Sequence, residues 1–405
     1  MKIIKLNSRD LNKIYNRCLY RKRKIQEKVA KIVDDVRNFG DDALIKYTRK
    51  FDKVKFSPKQ LRVGEAEISG AYQNITSDFI SMVKVVIENV NKFYKKQIKK
   101  SWKTFDDDGV ILGEKIIPLE KIGVYVPAGT APLVSTVFMS VLPAKVAGVK
   151  KIVIATPPDK NGFINPHILV IADLLKVDEI YKIGGAQAVA ALAFGTKTVP
   201  RVDKIVGPGN IYVTEAKRQA FGCVDIDMLA GPTELVVIAN RCSDPNFVLA
   251  DLRAQAEHVG GLAILITTSK ALAKKIKNEI QNGYIIVAKN LDEAVEISNQ
   301  IAPEHLEILV NNPAKLTKNV KNAGAVFLGP YSPVAIGDYI AGPSHVLPTS
   351  GTARFFSGLS LDDFTKSIHT ISYSKKALEK IKEPLEKLTT IEGLIKHFES
   401  VKVRF

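Results

Sequence analysis

The segment Glu179-Ile-Tyr-Lys-Ile-Gly-Gly-Ala-Gln-Ala-Val-Ala-Ala-Leu-Ala-Phe194 passes from a β-branched and aromatic run, through two glycines, into an alanine-rich stretch. A short apolar run bounded by glycine reads as a buried strand, and the alanines that follow favour a helix. The rhythm recurs outward in both directions, with apolar runs at 123–126, 151–155, 204–206 and 235–239. A second series follows at 262–267, 284–288, 306–310 and 325–328, with helical spacing over 270–281 and 291–300. Strands that alternate with helices in this way predict βαβ units and mainly parallel sheets, an α/β fold.

The flanks differ. From about residue 10 to 100 the apolar spacing is helical, and 102–113 carries an acidic turn, Asp106-Asp107-Asp108-Gly109. Beyond 372, Leu378, Ile381, Leu385, Leu388, Ile391, Ile395 and Phe398 recur at helical intervals. A tail this amphipathic needs a surface to lie on, its own body or another subunit.

At 405 residues the chain allows two or three domains of about 150 residues each. With 46% hydrophobic and 25% charged residues, neither disorder nor a fibrous repeat accounts for it. The formal charge of +17 would suit a polyanion, but its distribution argues otherwise. Residues 1–100 hold 25 basic against 11 acidic groups, whereas 121–374 hold 24 against 21. The run Arg21-Lys22-Arg23-Lys24 lies in an amphipathic pattern with Ile14, Cys18, Ile25, Val29, Ile32 and Val33, as a solvated helix face does. No apolar leader follows Met1, and the most apolar region, 131–149, is interrupted by Pro132, Pro143 and Lys145. We therefore expect no membrane association and no nucleic-acid partner. Three cysteines without a Cys-x-x-Cys pair fit a reducing cytoplasm and leave any metal to His, carboxylate or amide ligands.

Two glycine loops, Gly184-Gly185-Ala186-Gln187 and Gly207-Pro208-Gly209-Asn210, each end a strand and open a predicted helix, at 188–194 and 211–221. Helix N-termini attract phosphate, and glycine lets a backbone approach it, but tight turns use glycine for steric reasons too. Of six histidines, His167 and His369 read as surface or structural, and His345 lies in Gly342-Pro343-Ser344-His345. Gln255 and His258 would project from one face of a helix over 247–258, where they could share a ligand or form a capped end. Glu304-His305 follows Pro303, which favours the first turn of a helix, and the pair suits acid/base chemistry or an ordinary surface. Asp338, in the apolar Ala335-Ile336-Gly337-Asp338-Tyr339, is either buried with a partner or part of a site. Gln255, His258, Asp338 and one distant histidine would make a nitrogen and oxygen set suited to Zn²⁺ with an open position.

These elements resemble those of histidinol dehydrogenase. Gly123-Val-Tyr-Val-Pro-Ala-Gly-Thr130, Gly184-Gly-Ala-Gln187, Gly207-Pro-Gly-Asn210, Asp227-Met-Leu-Ala-Gly-Pro-Thr-Glu234, Gln255-Ala-Glu-His258, Ala302-Pro-Glu-His305, Gly337-Asp338 and Gly342-Pro-Ser-His-Val-Leu-Pro-Thr349 occur in that family's order, from about residue 20 to 400. The resemblance implies Zn²⁺- and NAD-dependent oxidation of L-histidinol to L-histidine through bound histidinaldehyde, the end of histidine biosynthesis. It implies Gln255, His258, Asp338 and His397 as metal ligands, with His305 as acid/base and Glu304 activating water. Thr233 and Glu392 match substrate contacts, and Tyr125, Gln187 and Asn210 match cofactor contacts; His345 matches a position without an assigned role.

The resemblance further implies two incomplete Rossmann-like α/β domains with a helical N-terminal region. Their expected bounds are 21–122 with 234–360, and 123–233 for NAD, between an arm at 1–20 and a helical tail at 361–405. That tail would be exchanged in a homodimer, each site taking Glu392 and His397 from the partner. On one helix these two would stand about 140° apart, flanking a ligand rather than pointing at it together. Departures are small: Ala128 where glycine is common, Thr233 where serine also occurs, and Val259-Gly260-Gly261 in place of a more polar sequence. Two other readings differ in what they require. A cysteine-dependent aldehyde dehydrogenase needs Cys223 as nucleophile, and a basic nucleic-acid scaffold needs salt-sensitive duplex binding.

Overall fold

Five parallel strands, in the order Glu179–Lys182, Lys151–Thr156, Lys121–Tyr125, Lys204–Val206 and Asp225–Ile226, form one sheet. Six more, in the order Lys2–Ile4, Tyr284–Val287, Leu262–Thr267, Glu234–Ala239, His305–Leu309 and Ala325–Leu328, form a second, also parallel. The computed structural model describes residues 1–6, 8–17, 23–128, 132–258 and 260–405. Cys18, Arg21, Lys22, Gly129, Thr130 and Val259 lie outside the described residues. Strands such as Glu234–Ala239 are buried along their whole length, because helices cover both faces of a parallel sheet.

The helices reach these faces through their sequence stripes. In the helix Arg23–Phe39, Val29, Ile32, Val33 and Val36 are buried, while Arg23, Lys24, Lys28 and Lys31 stay in solvent. That helix and Asp41–Phe51 share a core with Val189, Leu192 and Val213, beside the five-stranded sheet. The helix Ser77–Tyr94 packs on the other side of the same sheet through Val83, Val86 and Val90 against Val137 and Val141. This packing differs from the expected bounds, which joined 21–122 to 234–360. The first residues do belong with the later sheet, since Ile4, Leu11 and Ile14 share a core with Val236 and Ile264.

Met1–Gln97 with Leu119–Phe364 is one compact unit; Ile98–Pro118 with Thr365–Phe405 is another. The second unit contains an antiparallel sheet in which Ile111–Pro118 lies between Trp102–Phe105 and Thr365–Ser372. Its acidic turn is tied to the helix Lys375–Lys380, with Asp108 accepting from Lys380 at 2.6 Å and Lys376 at 3.1 Å. The single helix assumed for Glu392 and His397 is broken. Lys382–Ile391 ends at Glu392, Gly393 turns at φ +72°, and Ile395–Lys402 starts a new helix. Ile391 and Ile395 of these helices are exposed. Among the described residues, no helix is long and apolar enough to cross a membrane.

Glycine matters most where another group stands in the way of a side chain. A Cβ at Gly184 would sit 2.5 Å from the Pro157 ring, whereas one at Gly70, in the helix Glu65–Tyr72, meets nothing. We expect Gly184→Ala to cost about 1–3 kcal/mol and Gly70→Ala to add about 0.5–1 kcal/mol. Denaturant unfolding of the two variants checks this, and equal effects would refute it.

Candidate active site

The strand His305–Leu309, next to the edge of the six-stranded sheet, pairs with Glu234–Ala239 on one side and Ala325–Leu328 on the other. Its start places Glu304 and His305 side by side at the N-terminal edge of the sheet, 7% and 4% exposed. The expected helix after Pro303 is therefore corrected. Ala302, at φ +50°, ends the helix Leu291–Ile301, and parallel pairing draws the next residues into the sheet.

Glu234 meets both residues through its backbone. Its carbonyl lies 3.1 Å from His305 Nδ1, so Nδ1 carries a proton, and in the neutral imidazole Nε2 is the acceptor. Nε2 is buried, has no hydrogen-bond partner, and stands 3.6 Å from Asp338 Oδ1. The Glu234 N–H donates at 2.9 Å to Glu304 Oε2, which is also 3.6 Å from His305 Nδ1, and the Thr233 hydroxyl bonds the same carboxyl. Burial pushes Glu304 up to about 7, against the pull of His305 and these hydrogen bonds. Burial draws His305 down, but the Glu304 and Asp338 carboxylates outweigh it and leave the imidazole above its ordinary value.

Asp338 lies on the short helix Val334–Tyr339. Its backbone carbonyl accepts from His345 Nδ1 at 3.0 Å, and His345 Nε2 stands 3.5 Å from the Thr136 hydroxyl. The histidine without a sequence-assigned role thus braces Asp338, and burial holds it below the usual histidine range. His305, Asp338, His345, Phe327 and Leu347 line a cavity of about 500 Å³.

Gln255 lies in the last turn of the helix Pro245–Ala256 and is 5% exposed, with its amide nitrogen lacking a partner. His258 does not share its helix face as expected. The helix stops at Ala256, Glu257 caps it, and the exposed His258 follows in a turn closed by Gly261 N–H to His258 carbonyl at 3.0 Å. Among the described residues, no three His, Cys, Asp or Glu side chains converge as a metal site. Glu392 and His397 belong to the other compact unit.

Tyr125, Gln187 and Asn210 gather instead at the C-terminal edge of the five-stranded sheet. The Tyr125 hydroxyl accepts from Gly185 N–H at 3.0 Å, and the buried Gln187 Oε1 has no partner. Asn210 caps the helix Ile211–Ala220 by accepting from Tyr212 and Val213 N–H. A Cβ at Gly207 would lie 2.2 Å from the Tyr125 carbonyl, so this loop takes no larger residue. Cys223 sits at the opposite edge, between that helix and the strand Asp225–Ile226, and is exposed.

Several supporting groups escape a sequence reading. Arg17 grips Glu234 with two 2.6 Å bonds, and Ser350 N–H adds a third at 3.0 Å. Glu307 is two residues beyond His305, hence on the same strand face, and lies beside Asp251, one helical turn before Gln255. Burial, with Asp251 beside it, pushes Glu307 up to about 9. Partners so far apart in the chain leave no local pattern in the sequence.

The sequence model of the histidinol dehydrogenase family matches residues 16–405. The chain belongs to that family. It is 47% identical over 428 residues to the histidinol dehydrogenase of Clostridium acetobutylicum, covering 100% of this chain and 99% of that one. For that of Caldanaerobacter subterraneus subsp. tengcongensis the identity is 49% over 413 residues, with 97% and 96% covered. The crystal structure of histidinol dehydrogenase from Elizabethkingia anophelis superposes with a TM-score of 0.93 at 38% identity, covering 100% and 98%. The family's α/β architecture of parallel sheets and a helical tail is therefore present in this chain.

A buried carboxyl that resists ionisation destabilises the fold once the pH rises from its unfolded value, 4.5, toward its folded value, about 7. We expect Glu304→Gln to match the parent protein in Tm near pH 4.5 and to exceed it by roughly 2–5 °C at pH 8. Thermal scans across that range test the assignment; a pH-independent difference would count against it.

Proposed function

We propose that this protein oxidises L-histidinol to L-histidine, through histidinaldehyde, in two NAD-dependent steps with one Zn²⁺ per subunit. The observation that carries the reading is His305. Its Nε2 is bare and buried, it faces a cavity beside Asp338, and Glu304 is next to it, in a member of the histidinol dehydrogenase family.

The residues suit the groups this chemistry needs. Gln255 is buried with an unpartnered amide, and together with His258, Asp338 and His397 it forms a thiolate-free donor set appropriate to Zn²⁺. Gly184 and Gly207 pack so closely on Pro157 and the Tyr125 carbonyl that a Cβ would clash, which fixes both loops beside the unpartnered Gln187 oxygen, at the helix N-termini where a dinucleotide would lie. When bound, the metal would hold the substrate's imidazole and amine, and NAD would accept hydride.

His305 does the proton work. With Nδ1–H fixed on the Glu234 carbonyl, Nε2 takes the hydroxyl proton as hydride leaves the adjacent carbon. Water then adds to the aldehyde, and Glu304, poised near neutrality by burial, accepts a proton from it. The resulting hydrate loses its second hydride by the same route. Thr233 keeps the Glu304 carboxyl oriented through their hydrogen bond. Glu392 and His397 of the partner subunit complete the site in this reading, which gives the exposed apolar tail residues a surface to cover. A soluble cytoplasmic homodimer follows. The alternative through Cys223 is disfavoured because that thiol occupies the sheet edge away from both glycine loops.

The zinc-loaded protein should form two NADH per histidinol consumed. His305→Ala should abolish turnover and retain zinc, and His258→Ala should lose zinc. Mixed His305→Ala and His397→Ala subunits should regain activity. Absence of histidinol-dependent NADH would overturn the reading, and inactive heterodimers would overturn the shared site.

A further inference from the structure

The Gly207–Asn210 loop is held by an ion pair that none of the proposed steps uses. Lys217, on the helix Ile211–Ala220, is 3% exposed, and Asp227, after the strand Asp225–Ile226, is 6% exposed. Lys217 Nζ donates to the Gly207 carbonyl at 2.5 Å and to Asp227 Oδ1 at 2.6 Å. Asp227 Oδ2 accepts from Gly207 N–H at 2.7 Å, and Oδ1 also accepts from Met228 N–H at 2.6 Å. One ion pair therefore takes both backbone polar groups of a single glycine.

That glycine has little freedom to move elsewhere. At φ +111° it presses against the Tyr125 backbone, and the Tyr125 hydroxyl in turn bonds Gly185 N–H of the other glycine loop. The connection runs from Lys217 and Asp227 through Gly207 and Tyr125 to Gly185, and it joins two loops that lie on different strands. Gly207 also begins the four-residue loop that ends on Asn210. Withdrawing two charges from water costs several kcal/mol per ion, and apolar residues of the same volume would often serve stability as well. The pair instead supplies direction: a donor for one carbonyl and an acceptor for one N–H, fixed at both ends.

We propose that Lys217 and Asp227 are a positioning pair for the dinucleotide, holding Gly207 so that Tyr125, Gln187 and Asn210 stay in register. Both are buried and act through the Gly207 backbone. This inference rests on the NAD-binding reading given above.

NADH fluorescence titration of the full-length, zinc-loaded protein tests it. Lys217→Met should weaken NADH binding about tenfold, because it leaves Asp227 charged and unpaired in the interior. Zinc content and histidinol affinity, by calorimetry, should remain within twofold. In turnover the loss should fall on KM for NAD, with kcat within twofold. The double variant Lys217→Gln with Asp227→Asn keeps a donor and an acceptor without stranding a charge, and should bind NADH within threefold of the parent. Should Lys217→Met fail to fold, Asp227→Asn carries the same expected weakening. Parent-like NADH affinity in the folded single variant overturns the proposal, as does a double variant no better than the single one. A parent protein that binds no NADH overturns the cofactor reading itself, a result distinct from unchanged affinity in the variants.

Discussion

The register of His305–Leu309 against Glu234–Ala239 is the constraint from which the site follows. Parallel pairing sets His305 opposite Leu235, which leaves the Glu234 peptide groups free to meet the residues at the head of the next strand. One N–H then orients the Glu304 carboxyl and one carbonyl selects the His305 tautomer. A slip of one residue would turn His305 toward the opposite face of the sheet. The Arg17 and Ser350 bonds to the Glu234 side chain secure the same point from outside the strand. Glu307 of that strand lies beside Asp251 of the helix bearing Gln255. The chemistry thus depends on backbone geometry that several distant segments enforce.

Much of this was legible in the sequence, for identifiable reasons. Apolar runs bounded by glycine located the sheet strands closely: 204–206, 262–267 and 325–328 match the observed ends, and 306–310 is displaced by one residue. That one residue was consequential, because it is His305. Proline at 303 suggested a helix start, but the pairing available on both sides of the strand outweighed the local preference. The strand Thr365–Ser372 was missed since Thr-Lys-Ser-Ile-His-Thr-Ile-Ser is polar and largely exposed, and only pairing with Ile111–Pro118 gives it form. The helical tail was anticipated, while its interruption at Gly393 was not, although a glycine between two amphipathic runs is a signal for such a break.

The candidate site residues stand out through their motifs, but those that hold them in place do not. Lys217 and Asp227 are ten positions apart and Arg17 and Glu234 are far more distant, so neither pair leaves a local pattern. The excess positive charge also resolves in the structure. Arg23, Lys24, Lys28 and Lys31 occupy the solvated side of one N-terminal helix, whereas the site is built from a nearly neutral part of the chain.

The candidate residues of the two sheets lie at opposite strand ends, and this sorts charge. Cofactor candidates gather where strands finish and helices begin, at Gly185 and Ile211, so helix dipoles point their positive ends at that edge. Glu304 and His305 lie where strands begin and helices finish, after Ile301 and Ala256, and meet the negative ends. An anionic group would meet a favourable field at the first edge and a cationic group at the second, so backbone polarity distinguishes the two edges before any side chain makes contact.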